Sequence, residues 1–192
     1  MSIAELPTSL TVCGERFDIR SDFRDILVIC QALDDDDLSD KEKAVVTLRC
    51  LFYDWERLPR KGEGLEEALR KAYWFVGGGD IPKSKRSEVR VIDWKKDGHM
   101  IYPAVSKTLG VIDVRGLGYL HWFTFLGAFG ENGDGLLSFV LSLRGKKARH
   151  KKLTKAEEEF LRNNKELIVI RSEKEQREID ETNDFLKELL GE

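Results

Sequence analysis

A chain of 192 residues can bury one good core, or one core with an extended arm, since domains usually run to roughly 100–200 residues. A hydrophobic content of 41% beside 35% charged residues describes a globular protein rich in helix-forming charge, and a net charge of −3 is too small to imply a partner. Residues 1–10 lack the basic start and apolar stretch of an export signal, and nowhere do about 18 apolar residues follow one another, so neither secretion nor a membrane span is expected.

The three cysteines, Cys13, Cys30 and Cys50, are an odd number without Cys-x-x-Cys spacing. Each sits in an apolar run, which reads as reduced core thiols of a cytosolic protein, with no disulfide.

In chain order, Leu10-Thr11-Val12-Cys13, then Gly14-Glu15, then Arg16-Phe17-Asp18-Ile19 alternates around a glycine and predicts a small β-hairpin turning at Gly14-Glu15. Ser21 or Asp22 can cap a helix whose apolar face is Phe23, Ile26, Leu27, Cys30 and Leu33. The four carboxylates Asp34 to Asp37 end it. Negative charge is disfavoured at a helix C-terminus and favoured at the next N-terminus, so the run reads as a solvated turn; it lacks the glycine and distal Glu of a calcium loop. Ser39 or Asp40 can cap a second helix with Val45, Leu48, Phe52 and Trp55 on one face, and Pro59 lies past its end. A third helix over 65–76 carries Leu65, Ala68, Leu69, Ala72 and Phe75 or Val76 and stops at Gly77-Gly78-Gly79.

Residues 80–88, with Pro82, Lys83, Lys85 and Arg86, read as an exposed linker between two halves. The stretch Gly77-Gly78-Gly79-Asp80-Ile81-Pro82-Lys83-Ser84 is close to a phosphate loop, but Pro82 replaces the second glycine. Proline has no N–H to give a phosphate and fixes φ, and no buried strand precedes the loop. A helix-terminating loop is the better reading.

In the second half, Asp93 can cap a helix over 94–109 with Trp94, Ile101, Val105 and Leu109 on one side, and Pro103 predicts a kink or break near 99–102. After Gly110, a turn through Ile112 and Asp113 leads to a helix over 117–129 that is apolar nearly all round and therefore buried on several sides. His121 sits among its aromatics. With only His99 and His150 besides, and no metal-ligand or nucleophile spacing, His121 reads as a core histidine bonded to a backbone carbonyl. Leu136, Val140 and Leu143 form a short helix that closes the core. The expected core is centred on Leu120, Trp122, Phe123, Leu126, Val140 and Leu143.

The next segment, 144–155, holds seven Lys or Arg residues and no acid: Arg144, Lys146, Lys147, Arg149, Lys151, Lys152 and Lys155. It has no interleaved aromatics and no recognition motif, so it reads first as a solvated linker, then as a nucleic-acid or acidic-surface contact. The run Asp34 to Asp37 is one acidic counterpart, within the chain or on a neighbouring subunit. Thr154-Lys155-Ala156-Glu157 is a capping box that predicts a long helical tract through Leu190, packing at first through Phe160, Leu161, Leu167 and Ile168. Residues 171–178 are charged all round and have to cross solvent. Ile179, Leu186, Leu189 and Leu190 then restore an apolar stripe, which needs a second copy or a partner helix to bury it.

One region carries a family resemblance. Asp97 ahead of Ile101-Tyr102, the turn Gly110-Val111-Ile112-Asp113, the block Leu120-His121-Trp122, and an apolar helix ending in Arg144 before a lysine-rich segment resemble, in this order, the bacteriophage gene-product-fifteen family. The resemblance covers mainly 89–152, with a weaker match earlier. Departures are Phe123, where two tryptophans commonly follow Leu-His, and Pro103, where relatives carry an aromatic or small apolar residue. It implies a tail-assembly protein of phages and prophages of Gram-positive bacteria, without established chemistry.

The expected fold is mainly α, a helical domain with a small N-terminal hairpin and a long C-terminal helical tail. Its parts are 1–79, a hairpin and helical half; 80–88, the linker; 89–153, the aromatic helical core; and 154–192, the charged tail. The expected function is a non-enzymatic chaperone in the host cytoplasm, absent from the finished virion. It would bind the tape-measure protein through Ile179, Leu186, Leu189 and Leu190 and also self-associate. No catalytic residue, cofactor or metal is expected, and no membrane contact. The alternative is a nucleic-acid-binding or host-interacting phage protein that uses the basic segment.

Overall fold

The structure, a computed structural model, describes residues 6–80, 90–131 and 133–170. Strands β1 (Ser9–Val12) and β2 (Glu15–Asp18) pair antiparallel, with Leu10 opposite Phe17. Cys13 (φ 50°) and Gly14 (φ 80°) form the turn, one residue earlier than the sequence suggested. Two successive positive φ values match the twist of a two-residue hairpin. That geometry leaves Cys13 exposed, which corrects its assignment to the core; Cys30 is buried and Cys50 intermediate. Burial pushes the Cys30 thiol up to about 12, with the charge of Asp34 adding to the shift.

Helix α1 (Phe23–Asp34) starts at Asp22, whose carboxylate accepts from the Arg24 N–H, and buries Phe23, Ile26, Leu27, Ile29 and Cys30. Helix α2 (Asp40–Leu51) opens with a capping box of Ser39 and Glu42. It buries Leu48 and Leu51 while Val45 stays about half exposed (52%). Phe52 and Trp55 do not continue the helix face. Phe52 is extended and bridges to Ile19, and Trp55 opens a short 3-10 turn, Trp55–Arg57. Helix α3 (Gly62–Val76) ends at the triple glycine.

A Cβ on Gly77 would lie 2.5 Å from the Asp80 carbonyl oxygen, and Gly78 is needed for its backbone conformation. It has φ 74°, and a Cβ there would lie 2.8 Å from Leu126 Cδ1. A side chain would be strained by its backbone and would push on α5 (Trp122–Gly130). Gly78→Ala should lower stability by about 1–3 kcal/mol, read as an earlier urea midpoint. An unchanged midpoint would contradict this packing.

Helix α4 (Gly98–Leu109) starts later than expected and runs through Pro103 without the expected break. Asp93 caps the preceding turn, accepting from Lys95 and Lys96 N–H, so the chain redirects at 94–97. Pro103 leaves the His99 carbonyl without its helical donor, but His99 is exposed and water can take that role. Gly110 (φ 68°) closes α4, and Asp113 caps the 3-10 turn Val114–Gly116.

Residues 117–121 were expected to be helical and are extended instead, because they pair with the entry to α1. Phe23 N–H donates to Leu120 O (3.0 Å) and Trp122 N–H to Ser21 O (2.8 Å). Side-chain packing follows the same seam. Phe23 stacks on Phe125 at 4.7 Å, and Trp122 Nε1 donates to Val76 O at 2.9 Å. The two halves therefore share one core, and the division at 79 and 89 is not a division of packing. The 80–88 linker, Asp80 apart, lies outside the described residues.

Helix α6, numbered by its place in the chain, spans Leu136–Ala148 and buries Leu137, Val140, Leu143 and Arg144. Val140 and Leu143 are buried as expected, but Leu136 is half exposed (50%) and Leu137 takes its place on the inward face. Helix α7 (Lys155–Asn163) has the Thr154–Glu157 capping box read from the sequence. The long continuous tract does not form: the chain breaks at Asn164 and resumes as the single turn α8 (Lys165–Ile168). The Asn164 backbone N–H makes the last helical bond, to Phe160 O, and its side-chain amide donates to the same carbonyl, a local bond that competes with helix continuation. The rest of the tract, 171–192, lies outside the described residues. Among the described residues, no helix is long and apolar enough to cross a membrane.

Candidate functional site

Two of the residues that carry the family resemblance, Asp97 and Arg144, meet in the interior. They form a bidentate ion pair, with Nη2 to Oδ1 at 2.9 Å, and their side chains are 1% and 2% exposed. Arg144 uses all its N–H groups. Nε and Nη2 donate to Leu167 O, Nη1 donates to Val91 O, and the remaining two bonds go to Asp97. Asp97 Oδ2 also accepts the Asp93 N–H at 2.9 Å. One guanidinium thus ties together the entry to α4, the end of α6 and the single turn α8. Burying charge is costly unless it is paired and fully hydrogen-bonded, and here it is both.

Arg144 is therefore not part of a basic contact surface, which corrects that assignment. Its sequence position held the signal: Arg144 falls four residues after Val140 and seven after Leu137, on the inward face of α6. Lys146 is also partly withdrawn, paired with Glu157 at 2.5 Å, and this pairing holds the Glu157 carboxyl below its ordinary range. Lys147, Arg149, Lys151 and Lys152 are exposed and make no ion pair among the described residues. They form a four-cation surface at and beyond the end of α6.

The acidic run finds a different partner. Asp34 lies 3.4 Å from Arg90, at the start of the second half, rather than against the 144–155 segment. Burial still keeps the Asp34 carboxyl above its usual range, against the lowering effect of Arg90.

His121 is the N-cap of α5. Its Nδ1 accepts from the Phe123 N–H (3.0 Å), so the ring proton sits on Nε2 and donates to Pro7 O (3.0 Å). The carbonyl partner agrees with the sequence reading. The cap was missed because the helix was expected to begin at 117. Of the expected core, Trp122, Val140 and Leu143 are buried, while Leu120, Phe123 and Leu126 are partly buried and packed against it. Phe123 fills the space between Trp74, Phe75 and His121. On the outer side of α6, Leu136 and Phe139 remain exposed (50% and 39%), with Phe160 of α7 edge-on to Phe139 at 4.9 Å. Ile112, in the turn of the resembling motif, is wholly exposed. Ile179, Leu186, Leu189 and Leu190 lie outside the described residues.

No curated protein and no solved structure matches the chain significantly. Residues 3–170 match the family described as bacteriophage Gp15 protein, a span that takes in both halves and the first part of the charged tail. The match covers far more than the 89–152 region in which the motifs were read. Asp97, Arg144 and the Leu120-His121-Trp122 block are built into one core with the Gly110 turn at its surface, and by the match over 3–170 the chain belongs to the bacteriophage Gp15 protein family.

Proposed function

We propose that this phage protein is a non-enzymatic tail-assembly chaperone that binds the helical tape-measure protein before the tail tube polymerises around it. The observation that supports this most is the division of the chain. Residues 3–170 match the phage family, and beyond them lies a short acidic segment with apolar residues at Ile179, Leu186, Leu189 and Leu190. Apolar side chains spaced along a charged segment are suited to a partner helix, and a few of them give a contact weak enough to reverse. Reversal is what a chaperone needs, since the polymerising tube must displace it. The same stripe can bury itself against a second copy, so self-association belongs to this reading. The work would be done in the host cytoplasm, and the protein would be left out of the finished virion.

Coexpression with the tape-measure protein of the same phage tests the proposal. The expected result is that a tape-measure protein insoluble alone becomes soluble and copurifies. Unchanged insolubility, with this chain soluble and alone, would remove the reading.

The exposed quartet Lys147, Arg149, Lys151 and Lys152 favours a second reading, contact with nucleic acid. With Arg144 buried and Lys146 paired, few phosphates can be neutralised. With Lys155, also exposed, counted beside the quartet, binding to duplex DNA should then show a salt slope of at most about five counterions.

A further inference from the structure

The four-cation surface at the end of α6 has an acidic counterpart in the same chain. Lys147, Arg149, Lys151 and Lys152 are exposed, carry no ion pair among the described residues, and have no acid between them. Residues 171–192 hold eight Asp or Glu against four Lys or Arg, a net charge of −4. Opposite charge alone would not decide between a contact within the chain and one between copies. The root of the tail does. Leu167 O is held by Arg144, and Val169 O accepts from Lys96 Nζ at 3.1 Å, so the described chain ends pinned beside the last turns of α6. Lys147 follows Arg144 by three residues, a rise of about 4.5 Å along the helix. An extended chain covers roughly 3.3 Å per residue, so the carboxylates from Glu173 onward come within reach of the surface a few residues past Ile170. A tether this short sets an effective concentration of order millimolar, which a free second copy does not match at ordinary protein concentrations.

We propose that the surface formed by Lys147, Arg149, Lys151 and Lys152 is the docking site of the chain's own acidic segment, 173–192, and that this contact masks the cations from phosphate polyanions. The inference does not depend on the tape-measure reading. It concerns the acidic side chains of the tail, and the apolar stripe stays available to a partner. Docking through exposed charges is weak pair by pair and is screened by salt, so the mask is reversible.

The test is carbodiimide crosslinking of the full-length protein, which joins Lys amines to Asp or Glu carboxyls in contact, on an equal mixture of unlabelled and nitrogen-15-labelled chains. Mass spectrometry at low salt should find Lys147, Lys151 or Lys152 joined to carboxylates within 173–192, almost all in same-isotope pairs. Their yield should fall at least about fivefold in 1 M salt, where the screening length is about 3 Å. Mixed-isotope pairs would overturn the proposal in favour of contact between copies. Tail carboxylates joined only to other lysines, or not joined at all, would overturn it outright. Loss of tape-measure binding in a separate experiment would leave these crosslinks unaffected, so the two readings fail separately.

Discussion

Trp122→Ala should give protein that is insoluble or unfolded. The indole is 1% exposed and stacks on Phe125 with centroids 5.6 Å apart. It also meets Trp94 at 6.0 Å, and its Nε1 donates to the Val76 carbonyl at the end of α3. Removing it deletes the largest side chain among the fully buried ones and leaves a cavity where both halves meet. It also leaves the partly buried Val76 carbonyl without its donor. Truncating a buried aromatic costs about 3–5 kcal/mol, and an unpaired buried carbonyl adds about 1–3, against a total stability of about 5–15 kcal/mol for a domain. Trp122→Phe should recover part of the packing but not the hydrogen bond, and should fold with a urea midpoint below that of the native chain. A soluble alanine variant with an unchanged melting temperature would refute the shared core.

Arg144→Met should be comparably damaging for a different reason. The methionine fits the space of the side chain stem but strands the Asp97 carboxylate in the interior, together with the Val91 and Leu167 carbonyls. Breaking a buried pair from one side costs about 3–5 kcal/mol. The double variant Arg144→Met with Asp97→Leu separates the causes. Removing the stranded charge should recover much of the loss, yet the double variant should stay less stable than the native chain. The two carbonyls and the Asp93 N–H still lack partners, at about 1–3 kcal/mol each. Urea denaturation of all three proteins measures this. A single variant within about 1 kcal/mol of native would mean that Arg144 does not hold the end of α6 to the entry of α4 and to α8.

Much of this fold was legible because its elements obey local rules. Alternation around Gly14 marked the hairpin, and Asp22, Ser39 and Thr154 marked helix starts because each offers a side-chain oxygen to orphan N–H groups. What periodicity could not show was long-range pairing. Residues 117–121 look helical by apolar spacing, but backbone bonds to Ser21 and Phe23 hold them extended. Leu136 and Leu137 are equally apolar, and only packing chooses Leu137. The largest miss is chemical. Seven cations in twelve residues read as one solvated run, whereas Arg144 belongs to the inward face of α6 and its partner Asp97 lies 47 residues earlier. Both belong to the motif that carries the family resemblance, but a buried ion pair leaves no local sequence pattern that would pair them with each other.

The claim most in need of a direct measurement is that the apolar residues beyond the family core engage the tape-measure protein. Ile179, Leu186, Leu189 and Leu190 lie past residue 170, where the family match ends, and 171–178 is charged throughout the span that separates them from the core. Each buried Leu or Ile can contribute roughly 1.5–3 kcal/mol, so a few suffice for a specific contact after ordering costs. Deleting residues 179–192 and comparing melting temperature, mass in solution and tape-measure pull-down with the full-length chain measures their role. The account predicts an unchanged melting temperature with pull-down, self-association or both lost. Collapse of folding would place the stripe in the intramolecular core. Unchanged folding, mass and pull-down would contradict the claim and move the contact to the exposed apolar side chains of the described fold, Leu136 and Phe139 first among them.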